Sequence, residues 1–136
     1  SSSFTSLIEQ YLADMQEMYS LDISITCYPK QEINAFSDDF KTEIYRIIQE
    51  LTTNVIKHAQ AKNLSVQLTK HEEYFNMMIE DDGIGFNSIN AARGIGLKNL
   101  SSRLKALNGN FDIDSSIGKG TTINIDIRLE DVFETA

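Results

Sequence analysis

Residues 74–87 read YFNMMIEDDGIGFN. In the first half Phe75, Met77 and Ile79 alternate with Asn76, Met78 and Glu80, the period of a strand with one buried face. Asp81 and Asp82 follow at once, and then Gly83-Ile84-Gly85. A strand that ends in two carboxylates and opens into Gly-x-Gly has two readings. It is a turn built from the usual turn residues. Alternatively, it is a place where acceptors wait for a ligand's donor and missing side chains let backbone come close. No third glycine leads on into a helix in the dinucleotide-binding spacing, so a Rossmann fingerprint is excluded.

Outward from this stretch the strand pattern repeats. Leu64–Lys70 (LSVQLTK) alternates and is joined to Tyr74–Glu80 through His71-Glu72-Glu73, a hairpin loop in which His71 is exposed and structurally neutral. NFDIDS and TTINIDIRL alternate again across SIGKG, and so does ISITCY near the start. Phe4, Leu7, Ile8, Tyr11, Leu12, Met15 and Met18 recur at three- and four-residue spacing and predict an amphipathic helix. Residues 29–39 read as a loop. Ser37 offers an N-cap to a long helix that carries Phe40, Ile44, Ile47, Ile48, Leu51, Val55 and Ala59 on one side. A further helix turns Leu97, Leu100, Leu104 and Leu107 inward and is stopped by Asn108-Gly109. The order α, β, α, β, β, α, β, β lacks regular βαβ alternation. It predicts a two-layer α/β sandwich with a mixed, mostly antiparallel sheet and helices packed on one face.

The chain has 136 residues, one cysteine and one proline, which fits a single domain without a disulfide framework. Its helix at 1–20 belongs to the same unit as the core at 23–129. Cys27 reads as a buried strand residue. No apolar run approaches about 18 residues, so no transmembrane helix is expected. No cleavable leader is visible, and a soluble, cytoplasmic domain is expected. The net charge of −8 argues against nucleic acid as a partner.

Two more clusters resist a packing explanation. In QELTTNVIKHA, Glu50, Asn54, Lys57 and His58 fall on one stripe at about 100° per residue. An amide oxygen there suits Mg²⁺, and a lysine one turn on suits phosphate. The stripe reads equally as a solvated helix face. In RGIGLKNL, Arg93, Gly94 and Gly96 run into a helix start, where unsatisfied N–H groups suit phosphate; a plain glycine bend is the other reading. GKGT at 118–121 is no P-loop; it is a turn from which Thr121 offers one hydroxyl.

Taken in order, ELTTNVIKHA, DDGIGF, RGIGLKNLSSRL and GKGTTINI resemble the ATP-binding catalytic domain of bacterial sensor histidine kinases, in the GHKL ATPase superfamily. The resemblance runs from about Ile23 to Leu129 and is strongest to the class that pairs with helix-turn-helix response regulators. It implies the GHKL α/β sandwich, with ATP and Mg²⁺ as cofactors. Glu50 matches the N-box acid that acts on the phosphoacceptor, Asn54 the Mg²⁺ ligand, and Lys57 and His58 the residues that meet phosphate and nucleotide. Asp81 matches the adenine-reading acid, with Gly83, Ile84 and Gly85. Gly94, Gly96 and Leu97 match the second glycine box, with Arg93 beside it and residues 86–93 as the lid. Thr121 matches the threonine after the last turn.

The resemblance also implies partners. These are a dimerisation and phosphoacceptor domain of a parent kinase, not found in this sequence, and a response regulator. The isolated domain is therefore expected to bind Mg-ATP without phosphorylating itself. Whether the parent kinase is held at a membrane stays open. Two rival functions remain at this point: a serine kinase of the anti-sigma-factor type, and a nucleotide-sensing or docking module without transfer chemistry.

Overall fold

The computed structural model describes residues 3–85 and 97–129. Helix α1 (Phe4–Tyr19) leads into strand β1 (Asp22–Tyr28), the short helix α2 (Lys30–Asn34) and the long helix α3 (Asp38–Asn54). A π turn (Val55–Ala59) extends α3 before β2 (Asn63–Lys70) and β3 (Tyr74–Asp81). Helix α4 (Leu97–Ala106), β4 (Gly109–Ser115) and β5 (Thr121–Arg128) complete the order.

The strands form one sheet in the order β1-β2-β3-β5-β4, in which only the β1–β2 pair is parallel. The alternating pattern gives the sheet two unlike faces. Leu64, Val66 and Leu68 lie beside Ile79, Met77 and the strand β5 residues Ile123, Ile125 and Ile127, all buried on the face shared with the helices. The opposite face carries Gln67, Asn76, Glu80, Asn124 and Asp126; there Asn76 donates to Asn124 and Asp126 across the strands. This is the two-layer sandwich expected from the sequence, with an acidic and amide-rich outer face in place of a second helical layer.

Helix α3 supplies the centre of the core. Its first turn is capped by the Ser37 hydroxyl, which accepts from the Phe40 N–H at 3.3 Å. Ile44, Ile47, Ile48 and Leu51 then reach full burial along one face. At its N-terminal end Phe36, Phe40 and Phe75 meet edge-to-face with centroids 4.9–6.0 Å apart.

Three sequence expectations need correction. Residues 29–39 are not wholly loop, because Lys30–Asn34 is helical and sinks Ile33 into the core. Helix α1 buries Phe4, Thr5, Ile8 and Leu12, whereas Leu7 and Met18 are exposed. It lies along the sheet edge, where a narrow stripe suffices. The long helix does not stay α-helical to Ala59, since Val55–Ala59 takes the wider π geometry.

Candidate nucleotide-binding site

Sequence patterning packs the layers tightly at the Phe75 end, but at the Asp81 end they part around a small hollow, open on one side. Leu51, Asn54, Val55, His58 and Ala59 form its helical wall; Ile79, Ile123, Asp81 and Thr121 form the sheet floor; Ile84 and Gly85 stand at the rim. An apolar slot with few polar groups is the usual composition of small-molecule sites.

Asp81 and Thr121 are register partners on β3 and β5, so their side chains share one point of the floor. Both are buried. One Asp81 oxygen accepts from the Gly83 N–H at 2.8 Å. Burial raises the Asp81 pKa above the ordinary carboxylate value, against the Gly83 hydrogen bond, which lowers it. The Ser115 hydroxyl donates to the Gly120 carbonyl at 3.1 Å and lies 2.8 Å from the Thr121 hydroxyl. With its proton committed to Gly120, Ser115 can only accept from Thr121. Thr121 therefore faces the hollow as an acceptor, as Asp81 does. A floor made of two acceptors favours a ligand that presents an amino group and disfavours one that presents a carbonyl there.

The neighbouring acid is set differently. Asp82 accepts from the Lys62 and Asn63 N–H groups at 2.8 and 2.9 Å and from the Asn63 side-chain amide at 2.8 Å. These bonds bring its pKa down to about 2, the Asn63 side chain being the largest cause.

The glycines of this loop are approached closely by the protein's own backbone, and Gly85 also stands at the rim of the hollow. A Cβ on Gly83 would lie 2.1 Å from the Ala59 carbonyl oxygen, and one on Gly85 2.1 Å from that of Ser116. Ile84 donates its N–H to Ala59 at 2.7 Å, and its carbonyl accepts from Gly118. Backbone is packed on backbone, which holds the rim together. The signal was visible in the sequence, but nothing there named the segments that approach.

The other site residues divide. Asn54 and His58 both line the hollow. Lys57 is exposed and is not part of the lining, because the π turn breaks the 100° stripe that joined the four residues. Glu50 lies one turn before Asn54 and is gripped by Arg103 of α4, whose guanidinium also reaches Glu43 at 3.2 Å. Sequence reasoning gave Arg103 no partner; its bridge depends on α4 lying against α3. Leu97 is buried, and its side chain belongs to the core. Arg93, Gly94, Gly96 and the lid at 86–93 lie outside the described residues. Among the described residues no group of three or more His, Cys, Asp or Glu side chains could hold a metal. No described helix is long and apolar enough to cross a membrane.

A helix-on-sheet sandwich whose layers open around a buried acid and a helix-borne asparagine defines a class of nucleotide-binding ATPase domains. Residues 40–131 match the family model described as histidine kinase-, DNA gyrase B- and HSP90-like ATPase, and the chain belongs to that family. It is similar to the sensor histidine kinase ComP of Bacillus subtilis, with 35% identity over 67% of this chain and 12% of that protein. It is 28% identical to the histidine-protein kinase/phosphatase DegS of the same organism over 90% of this chain and 33% of DegS. Among solved structures the fold matches the Acinetobacter baumannii histidine kinase AdeS with a TM-score of 0.75 at 18% identity, covering 95% of this chain and 66% of that one. The chain is thus an ATP-binding catalytic domain of the histidine-kinase type. It spans only an eighth to a third of the length of these curated relatives.

Proposed function

We propose that the hollow binds the adenine end of Mg-ATP, and that within a longer sensor kinase this domain delivers the γ-phosphoryl to a histidine of a dimerisation domain, from which a response regulator receives it. The observation that carries the reading is the acceptor-only floor, with Asp81 and Thr121 side by side beneath an apolar slot. It suits the exocyclic amine of adenine. Asn54, on the wall of the same hollow, has an amide oxygen of the kind Mg²⁺ takes. When bound, the ion would neutralise charge on the phosphates as the phosphoryl group leaves.

The chain's own contributions follow from position. Asp81 orients the base and Thr121 adds a second acceptor. His58 borders the nucleotide, and Lys57 supplies a mobile positive charge just beyond it. Glu50 acts on the incoming acceptor, and Arg103 holds that carboxylate in place. Arg93 and the amides of Gly94, Gly96 and Leu97 meet phosphate. The family assignment and the names of its relatives support histidine over serine as acceptor. Neither described histidine of this chain suits that role. His58 lines the nucleotide site itself, and His71 lies beyond the far end of the eight-residue strand β3, roughly 25 Å away.

Calorimetric titration tests the reading. ADP and ATP are expected to bind, with ATP strengthened by added Mg²⁺, and GDP and GTP to bind far more weakly. Labelled ATP is expected to leave no acid-labile phosphate on this chain alone. Equal affinity for guanine and adenine nucleotides would defeat the assignment of Asp81 and Thr121.

A further inference from the structure

We propose that Asp82, which lines no part of the hollow, is the positioning residue that fixes the separation of its two walls and thereby its preference for an adenine base. The inference rests on the nucleotide reading above.

The walls come from segments distant in sequence. One is the π turn with Val55, His58 and Ala59; the other is the loop from Asp81 to Gly85. At the front they touch through the Ile84 N–H on the Ala59 carbonyl and through Gly83 lying against Ala59. That hydrogen bond fixes the walls at one point, and a second point is needed to stop them from pivoting about it.

Behind that contact Asp82 supplies the restraint. One carboxylate oxygen takes both the Lys62 and Asn63 N–H groups, and the other takes the Asn63 side chain. The Asp82 N–H donates in turn to the Asn63 carbonyl at 3.3 Å. An Asp placed only for turn chemistry would bond within its own loop. This one spends its carboxylate on residues 19 and 20 positions away. Those residues join the π turn to β2, and the Lys62 carbonyl also accepts from Asp22 of β1. Asp82 therefore ties the chain leaving one wall to the chain entering the other, four residues from Ala59 and one from Asp81. Two acceptors on the floor discriminate between bases only if the opposite wall holds the ring in register with them, and preorganised walls do so at least cost on binding.

The test is titration of ADP and GDP into the 136-residue chain and its variants, at a temperature where circular dichroism shows each to be folded. Asp82→Asn sets an amide NH₂ against that of Asn63. It is expected to weaken ADP binding roughly ten- to a hundred-fold, the scale on which lost outer support of a site is felt, and to narrow the preference over GDP. The exchange Asp82→Asn with Asn63→Asp restores a carboxylate-to-amide pair across the same gap and is expected to recover most of both. Asn63→Ala removes one bond of the clasp and serves if the first variant does not fold; it is expected to show the same change in smaller degree.

The proposal is overturned if Asp82→Asn, or Asn63→Ala in its place, melts earlier yet binds ADP within about two-fold of the unaltered chain with its base preference intact. It is also overturned if the exchange restores melting without restoring binding. Should the unaltered chain bind neither nucleotide, the nucleotide reading falls first and the two failures are told apart.

Discussion

The same helix and the same strand behave differently at their two ends. Where α3 begins and β3 starts, Phe36, Phe40 and Phe75 close the space between the layers. Where α3 passes into its π turn and β3 stops, Val55, Ala59, Asp81 and Thr121 leave a hollow. The first end is built from large rings without polar atoms, and the second mixes aliphatic side chains with Asn54, His58, Asp81 and Thr121. On the proposed function, the closed end serves stability and the open end serves binding.

The largest expected effect lies at the closed end. Phe75→Ala should lower the unfolding free energy by about 3–5 kcal/mol, read from denaturant titration, because a fully buried ring leaves a gap that the trio cannot fill. ADP affinity, measured where the variant is still folded, should barely move. A large loss of binding would mean that the two ends are not separable.

Asp81→Asn acts at the open end and sharpens the contrast. Its oxygen can still accept from Gly83, which turns the amide donor toward the amine of the base. Losing that acceptor should cost about 1.5–3 kcal/mol of ADP binding in calorimetry. Stability should move the other way. The folded-state pKa of Asp81 is raised by burial, so its share of stability is fully present below the unfolded value and is lost as pH rises through the raised value. The amide variant escapes that loss and should melt above the unaltered chain at neutral pH. For Asp82 the sign reverses. Its pKa is lowered to about 2, so its stabilisation is present above the unfolded value and is lost as pH falls toward 2. Adjacent carboxylates thus respond to acid in opposite senses, one raised by burial and one already saturated by the protein's own donors.

The smallest effect is expected of Arg103→Ala. Its bridges to Glu43 and Glu50 are partly exposed, with 25% of the Arg103 side chain accessible, and its Nε is buried without a partner among the described residues. A loss of about 0.5–1 kcal/mol, smaller at high salt, is expected from thermal melts. A much larger loss would make the α3–α4 bridge a principal fastening of the fold.

Much of this architecture was legible because period and capping report local physics. The alternation in β2, β3 and β5, the Ser37 cap and the Leu97–Leu100–Leu104 face all depend on near neighbours in the chain. Asn54, His58, Asp81, Ile84, Gly85 and Thr121 were named from their letters and order, and they surround one space. What escaped depends on distant approach. Asp82 and Asp81 look alike in sequence, and only the return of Asn63 to the loop separates them. Gly83 and Gly85 were rightly expected to face something close, but the neighbours are peptide carbonyls of this chain. Lys57 left the stripe because a π turn cannot be read from helical periodicity.

That widened turn has a consequence for chain length as well as composition. Five residues, Val55 to Ala59, are accommodated where a regular helix would need fewer to come round. Removing a single residue there would let the helix revert to its ordinary pitch and rotate His58 and Ala59 out of phase with Asn54. A one-residue deletion in the segment is expected to leave the helix more regular and to weaken ADP binding in calorimetry.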